Sequence, residues 1–304
     1  MFEEIREAIL VLISTPVYAL VIGGEILFSV IHHHKTYSLK GTFENIYLML
    51  LNMGLDLLMR FICLYVLNYF YKFHFFSIDN LWLYWILLLI GQDFLFYLLH
   101  TADHYCRFFW AIHVTHHSSE EFNLTVGFRS SVFQPLYRFF YFIPLSIVGF
   151  DAKDIMFMYS ATQIYGILIH TKYIGKLGFL EHVLSTPSHH RVHHGSNVNY
   201  LDRNMGMVFI FWDKLFGTFT EEKEEVKYGL TENITSHHPG NVVFHEWKSI
   251  WQDLKKSSNW KHKFLYIFGP PGWSHDGHKK TSIELRRMHL RETEETGKIK
   301  SRMI

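Results

Sequence analysis

Long apolar stretches fill the first half of the chain and limit the folds that it can adopt. The hydrocarbon core of a bilayer is about 30 Å thick, so a helix needs about 20 mostly apolar residues to cross it. Five stretches come near that length, namely residues 5–31, 43–70, 81–99, 132–150 and 155–169. Because helices satisfy their own backbone polar groups in lipid, we predict an all-α fold, a multi-pass helical membrane bundle. The alternative for the last two stretches is a shallow re-entrant pair.

Charged residues are distributed unevenly along the chain. Asp, Glu, Lys and Arg make up 19% of the residues, and they are sparse before about residue 170 and dense after it. The basic residues of the short connections favour a cytosolic location for the side that carries Lys35, Lys40, Arg107 and Arg129. The formal net charge of +1 gives no electrostatic reason to expect nucleic acid as a partner. We therefore predict a membrane-embedded first part and a cytosolic second part.

Histidine is unusually frequent, with 22 residues. In the segment HTADH two histidines lie four residues apart and so share a helix face. The segments HVTHH and HRVHH each place one histidine a turn ahead of an adjacent pair. In a helix or tight turn the first and fourth positions point the same way, and the fifth extends that face. These clustered histidines are His100, His104, His113, His116, His117, His190, His193 and His194.

The clustered histidines predict a metal site. A lone histidine is usually a core or surface residue, but two copies of H-x-x-H-H argue against that interpretation here. Eight neutral imidazoles can fill most of the coordination of two ions and would be excessive for one, so we predict a dinuclear site. Ligand type alone does not choose among iron, zinc, copper and nickel. A membrane-embedded site suggests a hydrocarbon substrate, and oxidation of hydrocarbon favours redox-active iron.

The alternative function is a multi-pass metal transporter or metal-binding membrane protein. Transporters place polar ligands near the bilayer midplane, along the path of the ion. Here the histidines lie at predicted helix ends and in the cytosolic section, which favours an enzyme. A third interpretation is a structural membrane protein that binds metal but forms no product.

Five segments carry a resemblance to a known family. They are HTADH, WAIHVTHHSSEEFNL, LSTPSHHRVHHGSN, YLDRNMG and FWDKLFGTF, and they fall within residues 92–219. Together they resemble the fatty acid hydroxylase/sterol desaturase superfamily, and HVTHHSSEEFNL and TPSHHRVHHG are most similar to the alkylglycerol monooxygenases and their bacterial relatives. The resemblance implies a helical membrane bundle with a cytosolic histidine-rich cap. It also implies a membrane-bound, non-haem di-iron oxidoreductase that uses dioxygen to hydroxylate or desaturate a lipid.

Carried over by position, the resemblance implies a specific set of metal ligands. The eight clustered histidines belong to it, and His170 joins them as a further family histidine. Some members carry one more histidine four residues beyond that position, where this chain has Ile174, and His189 is out of register with the pattern. The predicted ligands are His100, His104, His113, His116, His117, His170, His190, His193 and His194.

Residues around the ligands have predicted roles as well. Asp103, Glu120, Asp202 and Asn204 are candidates to orient imidazoles by accepting their second N–H. The segment WDKLFGTF is predicted to pack beneath the site. No catalytic or cofactor-binding residue besides the metal ligands is predicted.

The resemblance extends to cofactors, partners and location. It implies two non-haem iron ions, dioxygen as co-substrate, and tetrahydrobiopterin or another external electron donor, which can be a protein. The expected partners are a lipid substrate and the bilayer, and the expected location is a bacterial inner membrane or the endoplasmic reticulum, with the metal site on the cytosolic face. The predicted domains are N-terminal transmembrane helices (1–86), a fatty acid hydroxylase domain (87–220) and a cytosolic C-terminal tail (221–304).

Overall fold

The computed structural model describes the backbone of residues 2–302. Side chains are described over the same range apart from residues 2–5, 7, 8, 11 and 296–302. Throughout the described range α-helices and short 3₁₀ turns are joined by loops, and β-pairing is limited to one isolated bridge between Leu184 and Phe209. The prediction of an all-α fold is confirmed.

The first three helices are the longest apolar elements. They are α1 (Phe2–Ile31), α2 (Leu39–Tyr71) and α3 (Leu81–Tyr105). In the part of the chain that the structure describes, these three are long and apolar enough to cross a membrane, and only 11% of the apolar window of α1 and of α2 is buried. Phe61 of α2 is 83% exposed and Leu20 of α1 is 76% exposed. Apolar surface of this extent requires an apolar environment such as lipid.

The helices of the middle section are shorter. Two of them come from the fourth and fifth apolar stretches and are too short for a hydrocarbon core of about 30 Å, since 11 residues rise about 16 Å and 17 residues about 25 Å. The first of these two helices begins only after a 3₁₀ turn at Gln134–Leu136, and it ends at Gly149, which has a φ of 130°. The re-entrant alternative therefore describes this pair better than two further spans. The four middle helices are α4 (Arg107–His117), α5 (Arg138–Val148), α6 (Ala152–Leu168) and α7 (Pro187–His193).

The charged final section packs against the helix that follows α3. Arg107, at the first position of α4, is 2% exposed and pairs with Glu246 at 2.6 Å and with Asp253 at 2.8 Å. Because both carboxylates belong to one helix of the final section, these pairs fix that section against α4. The helices of this section are α8 (Phe211–Phe216), α9 (Pro239–Lys256), α10 (Trp260–Phe268) and α11 (Ser282–Arg302).

The main apolar core lies among α2, α3, α5 and α6. Leu67, Leu88, Leu99 and Ile155 are fully buried there. Their packing fixes the end of α3 and the end of α6 relative to each other. These two helix ends carry His100 and precede His170, so the core positions part of the histidine cluster.

Candidate metal centre

The structure brings all nine predicted histidines together. Within the described residues they form two groups, and in each group the candidate ligand atoms lie within 4.8 Å of one another. Eight of the side chains are buried and that of His116 is partly buried. The five-histidine group consists of His100, His104, His113, His117 and His193, and the four-histidine group consists of His116, His170, His190 and His194. Metal binding by these residues stays a prediction.

Each H-x-x-H-H segment divides its histidines between the two groups. In α4 the first and fifth positions, His113 and His117, belong to the five-histidine group, whereas His116 belongs to the four-histidine group. At the end of α7 the first and fifth positions join the four-histidine group, and His193 joins the other. The expectation that the first and fourth positions act together was wrong, because positions four apart on a helix are closer in direction than positions three apart. Each segment thereby contributes to both groups.

Imidazole nitrogens face one another at short distances inside each group. The Nε2 atoms of His100 and His113 are 3.0 Å apart, and those of His113 and His117 are 3.2 Å apart. In the other group the Nε2 atoms of His170 and His190 are 2.9 Å apart. Two nitrogens that each bind a common ion at about 2.1 Å lie roughly 3 Å apart. The spacing therefore fits one cation in each group.

The outward nitrogens of several histidines are fixed by hydrogen bonds to the backbone. A carbonyl oxygen can only accept, so each of these Nδ1 atoms carries the proton and each Nε2 keeps its lone pair free for a metal. The pairs, with N···O distances of 2.7–3.0 Å, are His100 with Met205, His116 with Arg129, His170 with Gly166, and His193 with Arg203. The inward Nε2 atoms of His104 and His193 are buried and have no hydrogen-bond partner among the described residues. These orphaned acceptors fit a metal ion.

Only one of the four predicted orienting residues holds a ligand histidine through its side chain. Asp202 Oδ1 lies 3.2 Å from His104 Nδ1. Asp103 lies 3.8 Å from His113 Nδ1, too far for a hydrogen bond, and accepts instead from Gln134 and Tyr137.

The other two candidates do not orient a ligand. The Asn204 side chain donates to the backbone carbonyls of His189 and Thr220. Among the residues whose contacts are described, Glu120 makes no hydrogen bond to a ligand histidine.

The loop before α8 supplies two of the orienting carbonyls, a role that the sequence did not reveal. Asp202 and Asn204 adopt positive φ values of 51° and 55°, which Asp and Asn tolerate better than most residues. Asp213, fully buried, accepts from the backbone N–H groups of Met205 and Gly206 at 2.7 and 2.8 Å. The segment WDKLFGTF thus fixes the loop that orients His100 as well as packing beneath the site.

Two further positions settle the extent of the cluster. His189 lies outside both groups, and its Nε2 is 3.2 Å from Glu181 while its Nδ1 contacts the backbone at the start of α7. Ile174, where the family resemblance raised the question of a further histidine, is 43% exposed. Among the described residues no tenth histidine joins either group.

Burial keeps the histidines neutral, as metal ligands must be. It lowers the pKa of His116 to about 4. Burial, followed by repulsion from neighbouring imidazoles, lowers the pKa values of His117, His190 and His194 well below the ordinary value. At neutral pH these side chains present lone pairs and carry no charge.

A cavity of about 80 Å³ touches both groups. His100 and His113 line it from the five-histidine group, and His116, His170 and His190 line it from the other. Apolar side chains, including Phe96, Ile167 and Met207, form part of the remaining wall. A small molecule in this space would contact both candidate metal positions.

The chain is similar to a known protein family and to several curated proteins. The family model described as fatty acid hydroxylase matches residues 85–218. The predicted resemblance to this family is confirmed. The matched range begins in α3 and ends after α8, so it contains all nine histidines and the Asp213 contacts that fix their loop. No solved structure matches the chain.

Individual relatives come from animals and bacteria. The chain is 41% identical over 196 residues to an alkylglycerol monooxygenase from Homo sapiens, and this match covers 64% of the chain and 43% of the relative. It is 39% identical over 198 residues to the alkylglycerol monooxygenase from Xenopus tropicalis, with the same shares of the two chains. An ornithine lipid hydroxylase, OlsE, from Rhizobium tropici is 28% identical over 135 residues, 44% of this chain and 41% of the relative. The chain spans less than half the length of each of these relatives.

Proposed function

We propose that this chain is a membrane-bound, non-haem di-iron oxidoreductase that hydroxylates a lipid with dioxygen. The observation that carries the proposal is the convergence of nine histidines into two adjacent groups of metal-ligand geometry. The fatty acid hydroxylase match and the lipid-oxidising relatives support an oxidative rather than a hydrolytic reaction. Histidine ligands without thiolates are compatible with iron.

The residues of the chain hold and orient the metal pair. The five-histidine and four-histidine groups would each hold one iron ion, and a pair of iron ions supplies the activation of dioxygen when bound. Hydrogen bonds from the Nδ1 atoms to backbone carbonyls and to Asp202 fix the ring orientations before metal enters. Burial of the ligands excludes bulk water from the reacting atoms.

An ether lipid of the alkylglycerol class is the proposed substrate, because the relatives with identities of 35–41% are named alkylglycerol monooxygenases. Hydroxylation consumes one dioxygen together with two electrons and two protons, and it releases one water. When the attacked carbon bears the ether oxygen, the hydroxylated product is a hemiacetal, which breaks down to an aldehyde and a free glycerol. The electrons come from an external donor, and tetrahydrobiopterin or a reductant protein is the proposed class.

The three apolar helices would anchor the enzyme in a bacterial inner membrane or in the endoplasmic reticulum. The basic connections favour a cytosolic location for the histidine groups, which would form a cap on the bundle. In this proposal residues 1–86 supply the N-terminal membrane helices, residues 87–220 form the di-iron domain, and residues 221–304 form a cytosolic tail that α9 attaches to α4.

Turnover of an alkylglycerol with isotopically labelled dioxygen in membranes tests the proposal. Wild-type protein with a reductant is expected to place one labelled oxygen atom in the product. The variant His193→Ala, which lacks one member of the five-histidine group, is expected to place none. Equal incorporation by both would contradict the proposal. Metal-dependent uptake into vesicles without any lipid oxidation would favour the transporter alternative.

A further inference from the structure

The cavity beside the histidine groups has polar walls besides the imidazoles. Asn52, Gln134, Arg138 and Gln163 are among the residues that line it. A site built for a hydrocarbon chain alone has no use for such groups, because polar side chains are costly to bury without partners. Whether each of these side chains has a hydrogen-bond partner in the protein therefore indicates what kind of ligand the cavity binds.

Most of these polar groups already have partners in the protein. Asn52 Nδ2 donates to the backbone carbonyl of Ser131 at 2.8 Å, and Gln134 Nε2 donates to Asp103 at 2.8 Å. Arg138 donates to Asp56, and its guanidinium lies 4.3 Å from the centre of the Tyr159 ring. These donors are engaged in holding α2, α3, α5 and α6 together.

Gln163 differs from them. Its Nε2 is buried and has no hydrogen-bond partner among the described residues. It lies on α6 one turn before Gly166 and two turns before His170, and all three line the cavity. A buried donor without a partner costs about 1–3 kcal/mol of stability, so its position beside the metal ligands indicates a bound acceptor.

We propose that Gln163 is a specificity-determining residue, which donates a hydrogen bond to a hydroxyl oxygen of a glycerol-type lipid headgroup in this cavity. The inference rests on the proposed lipid oxidation and goes further, because it names the group that recognises the polar end of the substrate. The cavity of about 80 Å³ is small beside the pockets of about 300–1,000 Å³ that enclose drug-sized ligands. It therefore suits a hydroxyl-bearing fragment next to the reacting carbon and not a whole lipid.

The recognition step predicts discrimination against substrates that lack the hydroxyl. An alkyl methyl ether of the same chain length retains the oxidisable ether carbon but offers no glycerol hydroxyl. A site that hydrogen-bonds a substrate hydroxyl rejects an analogue without it, because its own polar group is then left unpaired. Wild-type protein should therefore prefer hexadecylglycerol to methyl hexadecyl ether.

The test compares Gln163→Leu with wild type on these two ethers. Loss of one neutral hydrogen bond should reduce the preference in kcat/KM by about tenfold, with the iron content unchanged. Equilibrium binding of both ethers to the iron-loaded protein without dioxygen should show the same loss of preference. The matched control is Gln92→Leu, since the Nε2 of Gln92 is likewise buried without a partner among the described residues and Gln92 does not line the cavity. This control should keep the wild-type preference.

The outcomes separate the two proposals. If wild type oxidises hexadecylglycerol and Gln163→Leu keeps the full preference in turnover and binding, the role of Gln163 is wrong while the oxidation stands. If neither ether is oxidised, the proposed function is wrong, and the binding measurement still decides the inference. A preference of the wild type that Gln163→Leu loses and Gln92→Leu retains supports it, whereas equal binding of both ethers by wild type overturns it.

Discussion

The two histidine groups are built differently. In the five-histidine group four rings have an Nδ1 hydrogen bond, and one acceptor is the carboxylate of Asp202. In the four-histidine group two rings are held in this way, both by backbone carbonyls, and His190 Nδ1 has no partner among the described residues. The rings of the five-histidine group are therefore held by more hydrogen bonds than those of the four-histidine group.

This difference has a chemical consequence. Five imidazoles, four of them held through Nδ1 and one of these made more basic by a carboxylate, should bind an ion more tightly than four rings of which two are held. We therefore expect the four-histidine group to be the weaker position and to keep room for an exogenous ligand.

Removal of a ligand should give the largest effect. We expect His193→Ala and His190→Ala each to reduce lipid oxidation by more than the ~100-fold that loss of an outer partner costs, because both ions are required. Metal analysis of the purified variants should show about one ion per chain in each case. Retention of two ions in either variant would contradict the assignment of that residue.

Loss of the carboxylate partner should have an intermediate effect, limited to one group. In Asp202→Asn the ring of His104 loses its anionic acceptor, so metal affinity of the five-histidine group should fall by about 10–100-fold. Competition with a chelator of known affinity measures this change. Asp276→Asn is the matched control. Asp276 pairs at 2.7 Å with the exposed His278, a histidine that belongs to neither group. An equal loss in both variants would show that the effect is not local.

A chelator should remove the ions of the two groups at different rates. We expect dialysis of the wild type against a chelator to remove one ion several times faster than the other, because the four-histidine group has fewer ligands and fewer fixed rings. In His190→Ala the fast phase should be missing, whereas in His193→Ala it should remain. A single phase in the wild type would mean that the two positions are equivalent.

Replacement of the histidine outside the groups should have the smallest effect. His189 caps α7 through Thr186 and contacts Glu181, so His189→Ala should cost about 1 kcal/mol of unfolding free energy. Metal analysis should still find two ions per chain. Loss of an ion in this variant would make His189 a ligand, against the geometry.

The sequence predicted the ligands' positions better than their arrangement. The nine histidines could be chosen because three clusters and His170 match a motif, and all nine converge. Helix spacing explains why the first and fifth positions of each H-x-x-H-H segment act together. It does not tell which group each pair joins, since that depends on how α4 and α7 face each other. The sequence could not predict that the carbonyls of Met205 and Arg203 orient His100 and His193. Every residue carries a carbonyl, and only the fold determines which one lies beside an imidazole.

The same holds for the helices. The lengths and apolar character of α1, α2 and α3 follow from composition, because a bilayer imposes both. The shortness of α5 and α6 depends on local backbone features, the 3₁₀ turn before Tyr137 and the positive φ of Gly149, which an apolar stretch does not reveal. The segment WDKLFGTF was predicted to pack beneath the site, but the role of its Asp213 as the acceptor for the backbone N–H groups of Met205 and Gly206 was not.

Anomalous X-ray scattering at the iron edge, from crystals of the purified protein, tests the central claim most directly. The account predicts two iron ions per chain, one ligated by the five-histidine group and one by the four-histidine group, with the second position more weakly occupied. A single ion, or ions bound away from these nine side chains, would contradict it.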